Sequence, residues 1–79
     1  MPRLTPVHWK VLEQIFLKFS FVFERQVGSH RSYVKEGCAR PVIIPTYTSI
    51  DVDIIKSNMR TARMDRDKYF ELLAARKKK

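Results

Sequence analysis

The sequence predicts an α+β fold in which helices pack on one face of a three-stranded antiparallel sheet. Three observations predict it. An apolar stripe with helical spacing runs through Leu12, Ile15, Phe16 and Phe19. From Phe21 the period changes to a run of aromatic and β-branched residues, punctuated by the turn signals Gly28-Ser29 and Glu36-Gly37. Helical spacing then returns after Asp51. The resulting order is helix, three strands, helix and a short final helix, with no internal repeat.

Thr5-Pro6 reads as an N-cap followed by proline at the first helical position, where its missing N–H is no loss, so the first helix is placed at residues 6–19. Lys10, Glu13, Gln14 and Lys18 fall mostly off the apolar stripe. His8 and Trp9, one turn before Leu12, read as structural residues at the core edge, with Trp9 as a partner anchor the alternative. Phe21-Val22-Phe23-Glu24-Arg25-Gln26 forms the first strand, with Phe21, Phe23 and Arg25 on one side. Val27-Gly28-Ser29 is a tight connection in which Gly28 supplies positive φ, and His30-Arg31-Ser32-Tyr33-Val34-Lys35 returns antiparallel. After the turn at Glu36-Gly37-Cys38-Ala39 comes Pro41-Val42-Ile43-Ile44-Pro45, a short apolar strand whose prolines restrict its pairing. Asp51 or Asp53 caps a helix carrying Ile54, Ile55, Met59 and Ala62; Asp65 caps a last helix carrying Tyr69, Phe70, Leu72 and Leu73.

The chain has 79 residues, enough for one small domain, expected over residues 1–75. Lys plus Arg number 16 against 8 acidic residues, a net charge of +8. Half of that excess lies in Arg76-Lys77-Lys78-Lys79, a tail expected to be frayed and solvated. The remainder suits a polyanionic partner but is shared by many ordinary domains. One cysteine, Cys38, and two histidines, His8 and His30, exclude a disulfide framework and a many-ligand Cys/His metal site within one chain. Neither a metal nor another cofactor is expected. Asp51, Asp53, Asp65 and Asp67 fall near helix starts, where capping accounts for them better than a magnesium site does. Cys38 is assigned no function. The N-terminal residues lack the apolar stretch of a signal peptide, and no apolar run approaches bilayer length, so a soluble cytoplasmic protein with no membrane partner is expected.

A three-stranded sheet with helices on one face leaves its other face open to a partner. If Val34 points inward, alternation puts Arg31, Tyr33 and Lys35 together on that open face, two cations around an aromatic ring, suited to phosphate contact and base stacking. The alternative is a solvated strand face with Tyr33 packed on a neighbour. His30 follows the Gly28-Ser29 turn, where its imidazole is accessible, and a histidine can exchange protons with a ribose 2′-OH or a leaving 5′-oxygen near neutral pH. By pattern alone a lone histidine is more often structural.

The stretch from Phe21 to Tyr33, with Arg25-Gln26-Val27-Gly28-Ser29-His30 followed by an aromatic residue, resembles the signature of HicA-type messenger-RNA interferase toxins. The resemblance extends to Ile44-Pro45, to Ile55-Lys56-Ser57 with Arg60-Thr61-Ala62, and to the segment Asp65–Leu73, and so spans roughly Leu4 to Leu73. It implies a double-stranded-RNA-binding-domain-like α-β-β-β-α fold, RNA cleavage through His30 presented by Gly28 and Ser29, and inhibition by a HicB-type antitoxin covering the site. Arg25, Arg31, Tyr33, Lys35 and Tyr47 are the accompanying candidates for RNA contact. Four positions depart from the family pattern. Ser20 stands where a glycine between the first helix and the first strand is usual, and Arg63 where a helix-ending glycine is usual, so Arg63 must adopt a left-handed cap or the helix must end differently. Asp53 replaces a glycine, and Tyr47 stands where many members have a histidine; it can stack or hydrogen-bond but cannot titrate near pH 7. A non-catalytic RNA-binding module and a domain acting mainly through antitoxin binding are the competing readings.

Overall fold

A computed structural model describes residues 3–75, and the basic tail lies outside them. The elements are α1 (Trp9–Lys18), β1 (Val22–Val27), β2 (His30–Val34), β3 (Val42–Pro45), α2 (Val52–Ala62) and α3 (Arg66–Ala75). The strands form an antiparallel meander in the order β1-β2-β3. The α+β class and the element order are those the sequence predicts.

The first helix begins later than Thr5-Pro6 suggested. Val7 instead pairs with Ile50 in an antiparallel bridge, with the Ile50 N–H donating to the Val7 carbonyl at 2.7 Å. The Trp9 N–H donates to the Tyr47 carbonyl at 3.1 Å. His8 becomes the N-cap, its Nδ1 accepting from the Lys10 N–H at 3.1 Å. Pairing with the β3–α2 connection thus satisfies backbone groups that a local proline signal would have left to the helix, and tertiary context overrides the propensity.

One core joins the three helices with β2 and β3, and every residue of β1 is exposed. Leu12, Ile15 and Phe16 of α1 meet Tyr33, Val42 and Ile44 of the sheet, and Ile55, Met59, Tyr69 and Leu72 of the last two helices, with Phe21 and Ile50 filling between. The helices pack on the face that carries Tyr33, Val42 and Ile44. Val22, Val27 and Ile43 on the opposite face stay exposed. Asp65 caps α3 as expected, accepting from the Lys68 N–H at 2.7 Å, whereas Asp51 opens α2 without a side-chain cap bond.

Both α1 and α2 end in the paired hydrogen bonds of a Schellman motif. At α1 the Phe21 N–H reaches the Phe16 carbonyl and the Ser20 N–H the Leu17 carbonyl; at α2 the Met64 N–H reaches Met59 and the Arg63 N–H reaches Arg60. The apolar contact that accompanies such a motif is supplied at α1 by Phe16 and Phe21, edge to face at 5.6 Å. The motif demands a left-handed residue, so Ser20 takes φ 76° and Arg63 takes φ 56°. Arg63 therefore adopts the left-handed alternative of the two foreseen.

A side chain in that region is strained, and glycine relieves it at the expense of a more flexible unfolded chain. Ser20→Gly should therefore stabilise the fold by roughly 0.5–1 kcal/mol. Arg63→Gly should gain less, because it also removes a cation from the negative end of α2. Thermal unfolding checks both, and a lowered Tm for Ser20→Gly would show that the cap is unstrained.

Candidate functional site

The β1–β2 hairpin turns on Gly28-Ser29, flanked by the cross-strand pair Val27 and His30. Gly28 has φ 60° and Ser29 does not share the positive φ, the pattern of a type II′ turn. Open space surrounds the position a Gly28 Cβ would occupy, so the backbone angle is what favours glycine there. Both turn carbonyls are held. Gln26 Nε2 donates to the Gly28 carbonyl at 2.9 Å, and the Thr46 N–H donates to the Ser29 carbonyl at 2.8 Å.

His30 opens β2 between Val27 and Pro45, and it is exposed. Among the described residues its imidazole has no hydrogen bond or ion pair. Tyr47, 46% exposed, lies two residues beyond the β3 partner of His30. This end of the molecule therefore gathers the β1–β2 turn, the β3–α2 connection and the N-terminus of α1.

Arg25 comes to the same end by an irregularity. The ladder pairs Phe23 with Tyr33 and then Arg25 with Ser32, so Glu24 is an extra residue, a β-bulge. Strict alternation predicted Phe23 and Arg25 on one side; the bulge reverses the parity and turns Arg25 to the open face. There it stands diagonally across from His30, at a cross-strand spacing of roughly 7–8 Å.

The exposed stripe of Arg31, Tyr33 and Lys35 does not form. Val34 does not point inward; Tyr33 does, and it is fully buried, so its ring has no face to offer a base. Its hydroxyl donates to Glu13 Oε2 at 2.5 Å and accepts from Arg31 Nε at 2.9 Å. Arg31 is used up in the same cluster, pairing with Glu13 at 3.0 Å and donating to Gln26 Oε1 at 2.8 Å. Its guanidinium lies 4.3 Å from the centre of the Phe23 ring and 5.1 Å from that of Trp9. Lys35 is half-buried, with Nζ 4.0 Å above the Phe19 ring. The physical reason is that the β2 face needing a counter-ion finds one on α1, in Glu13, a residue off the apolar stripe of that helix. Trp9 is at the core edge, as expected, where it covers Arg31.

Burial, followed by the hydrogen bond to Glu13, pushes the Tyr33 phenol up to about 12. The hydrogen bond to Tyr33 is the first cause raising Arg31, with the Glu13 charge adding to it. No three His, Cys, Asp or Glu side chains gather as a metal-binding group among the described residues.

Two outcomes follow from this cluster. In urea unfolding, Glu13→Gln and Arg31→Met should each lose roughly 1.5–3 kcal/mol, the scale of a charged hydrogen bond whose partner is left behind. The double variant should show a coupling of at least about 1 kcal/mol, and a value near zero would reduce the pair to a screened surface contact. Because the neutral phenol is favoured in the folded state, its contribution is complete below the unfolded value of about 10 and is lost as pH rises toward about 12. Stability measured over that interval should fall, and Tyr33→Phe should flatten that part of the curve.

A scan against protein-family models finds none that matches the chain, and a comparison with curated proteins finds no match.

Proposed function

We propose that the chain is an endoribonuclease of the HicA type it resembles, cleaving single-stranded RNA through His30 without a metal. The observation that carries the reading is the exposed imidazole, free of hydrogen bonds and ion pairs among the described residues, on a turn whose two carbonyls are both held. A group that exchanges protons with substrate must be accessible and unoccupied, which supports His30 in that role, and the held turn fixes the backbone from which its side chain projects. The α-β-β-β-α order of the first five elements is compatible with the double-stranded-RNA-binding-domain-like fold that the resemblance implies.

In the reaction His30 takes the proton of a ribose 2′-OH. The 2′-oxygen then attacks the adjacent phosphorus and the bond to the 5′-oxygen breaks. That oxygen leaves with a proton returned by the imidazolium, giving a 2′,3′-cyclic phosphate and a 5′-hydroxyl. Arg25, diagonally across the sheet, supplies positive charge to the phosphate, and Tyr47 supplies a ring or hydroxyl beside it. Messenger RNA as substrate puts the activity in the cytoplasm.

A second reading has its own support. Val22, Val27 and Ile43 are 58%, 67% and 37% exposed on the sheet face that no helix covers, and an apolar face of this kind suits a protein partner such as a HicB-type antitoxin. In that reading the chain binds its partner tightly and ignores RNA at moderate salt.

Purified protein incubated with a long unstructured RNA in EDTA should cut it. His30→Ala should lower the rate by roughly 10²–10⁴-fold while leaving Tm nearly unchanged, since an exposed side chain without partners contributes little. Cleavage surviving in that variant refutes the assignment of His30. RNA binding without cleavage by the wild type would make the chain a non-catalytic RNA-binding module.

A further inference from the structure

At the far end of β2 from His30, the β2–β3 connection and the C-terminal turn of α2 enclose a groove of about 650 Å³. Lys35, Arg40, Arg60 and Arg63 line it, with Glu36 as its one carboxylate. We propose that this groove holds the phosphodiester backbone of single-stranded RNA, at a site separate from His30; the proposal rests on RNA being the substrate.

The state of the cations is the first support. Arg31 uses its charge inside the protein, but the side chains of Arg40, Arg60 and Arg63 have no ion pair or hydrogen bond among the described residues. Three arginines line one concavity with no ion pair of their own among the described residues, and guanidinium matches phosphate oxygens in bidentate geometry.

Arg63 gives the second. It holds φ 56°, where glycine would be less strained, and it lines the groove. A strained backbone position is informative when its side chain faces a candidate site. The last carbonyls of α2 carry partial negative charge and do not attract an anion, so the side chains must do so.

The groove is also preformed. Cys38 Sγ donates to the Thr61 carbonyl at 3.3 Å, tying the β2–β3 connection to α2, and the Cys38 N–H donates to the Lys35 carbonyl at 3.0 Å. The five-residue step from His30 to Lys35 spans roughly 16 Å of extended chain. The cations are spread over a strand end, a connection and a helix end rather than closing on a point, an arrangement for a chain of phosphates more than for a single one.

The test is equilibrium binding of a fluorescent single-stranded RNA carrying 2′-O-methyl groups throughout, which removes the nucleophile and keeps the phosphates. It is run on the full chain between 50 and 200 mM salt, roughly the interval over which counter-ion release is read. Arg40→Gln with Arg60→Gln should weaken binding about tenfold or more and reduce the slope of log K against log salt by about 1.4, two phosphates at roughly 0.7 each. Arg63→Gly should weaken binding while keeping or raising Tm, a combination that a purely structural arginine would not give. His30→Ala should bind as wild type does, so a failure of His30 in cleavage is separable from a failure of the groove. Unchanged affinity and slope in the double glutamine variant, with the wild type binding RNA, overturn the proposal. So does wild type that fails to bind RNA, or binding that a poly-glutamate peptide blocks while unlabelled RNA of equal charge does not, which would assign the groove to an acidic protein.

Discussion

The orientation of β2, and with it the placement of His30, depends on the junction of Glu13, Arg31 and Tyr33. A tyrosine with no exposed surface must find a partner for its hydroxyl, and here Glu13 of α1 supplies a carboxylate. That carboxylate would itself be costly so near the core without a cation, and Arg31, two residues earlier on the same face of β2, supplies it. Phe23 and Trp9 cover the guanidinium from the strand and helix sides. Each member is tolerable only because the others are present, so the junction fixes which face of β2 looks toward α1. Once that face is fixed, His30, one residue before Arg31, must point to the other.

The same junction explains how much of the molecule was legible in the sequence. The elements were, because turn residues and apolar periods are local: Gly28-Ser29, Gly37 and the Leu12–Phe16 stripe act over a few residues. The orientation of β2 was not. Alternation sorts Arg31, Tyr33 and Lys35 into one set but does not say whether that set faces helices or solvent, and two cations in it argued for solvent. Only the long-range partner Glu13, 18 residues before Arg31, decides the matter. The bulge at Glu24 escaped for a related reason, since no glycine marks it and its evidence is the pairing itself. His30 was legible because it sits beside a turn that the sequence does announce.

Two kinds of surface result at the two ends of β2. At the His30 end, carbonyls and strand edges are tied down while the imidazole stays free, an arrangement that favours position over charge. At the groove end, cations from separate elements line a concavity with no ion pair among the described residues, which favours charge over position. A chemical step needs the first and the retention of a long anionic strand needs the second. Between them the open sheet face carries apolar side chains with Arg25 among them, so a strand of RNA and a protein partner would compete for the same ground.

Strain by itself does not identify function in this fold. Ser20 and Arg63 close their helices in the same motif, with the same left-handed backbone, and the geometry of the cap explains the conformation in both. What separates them is the side chain that each position carries. A serine in a left-handed cap is a small polar residue at a modest disadvantage to glycine. An arginine there adds a long cation, and Arg63 shares the lining of the groove with Arg40 and Arg60, none of which has an ion pair among the described residues. Repulsion among like charges is unfavourable in the free protein and is relieved when an anion binds. Strain and unpaired charge therefore point the same way at Arg63, and only strain is present at Ser20.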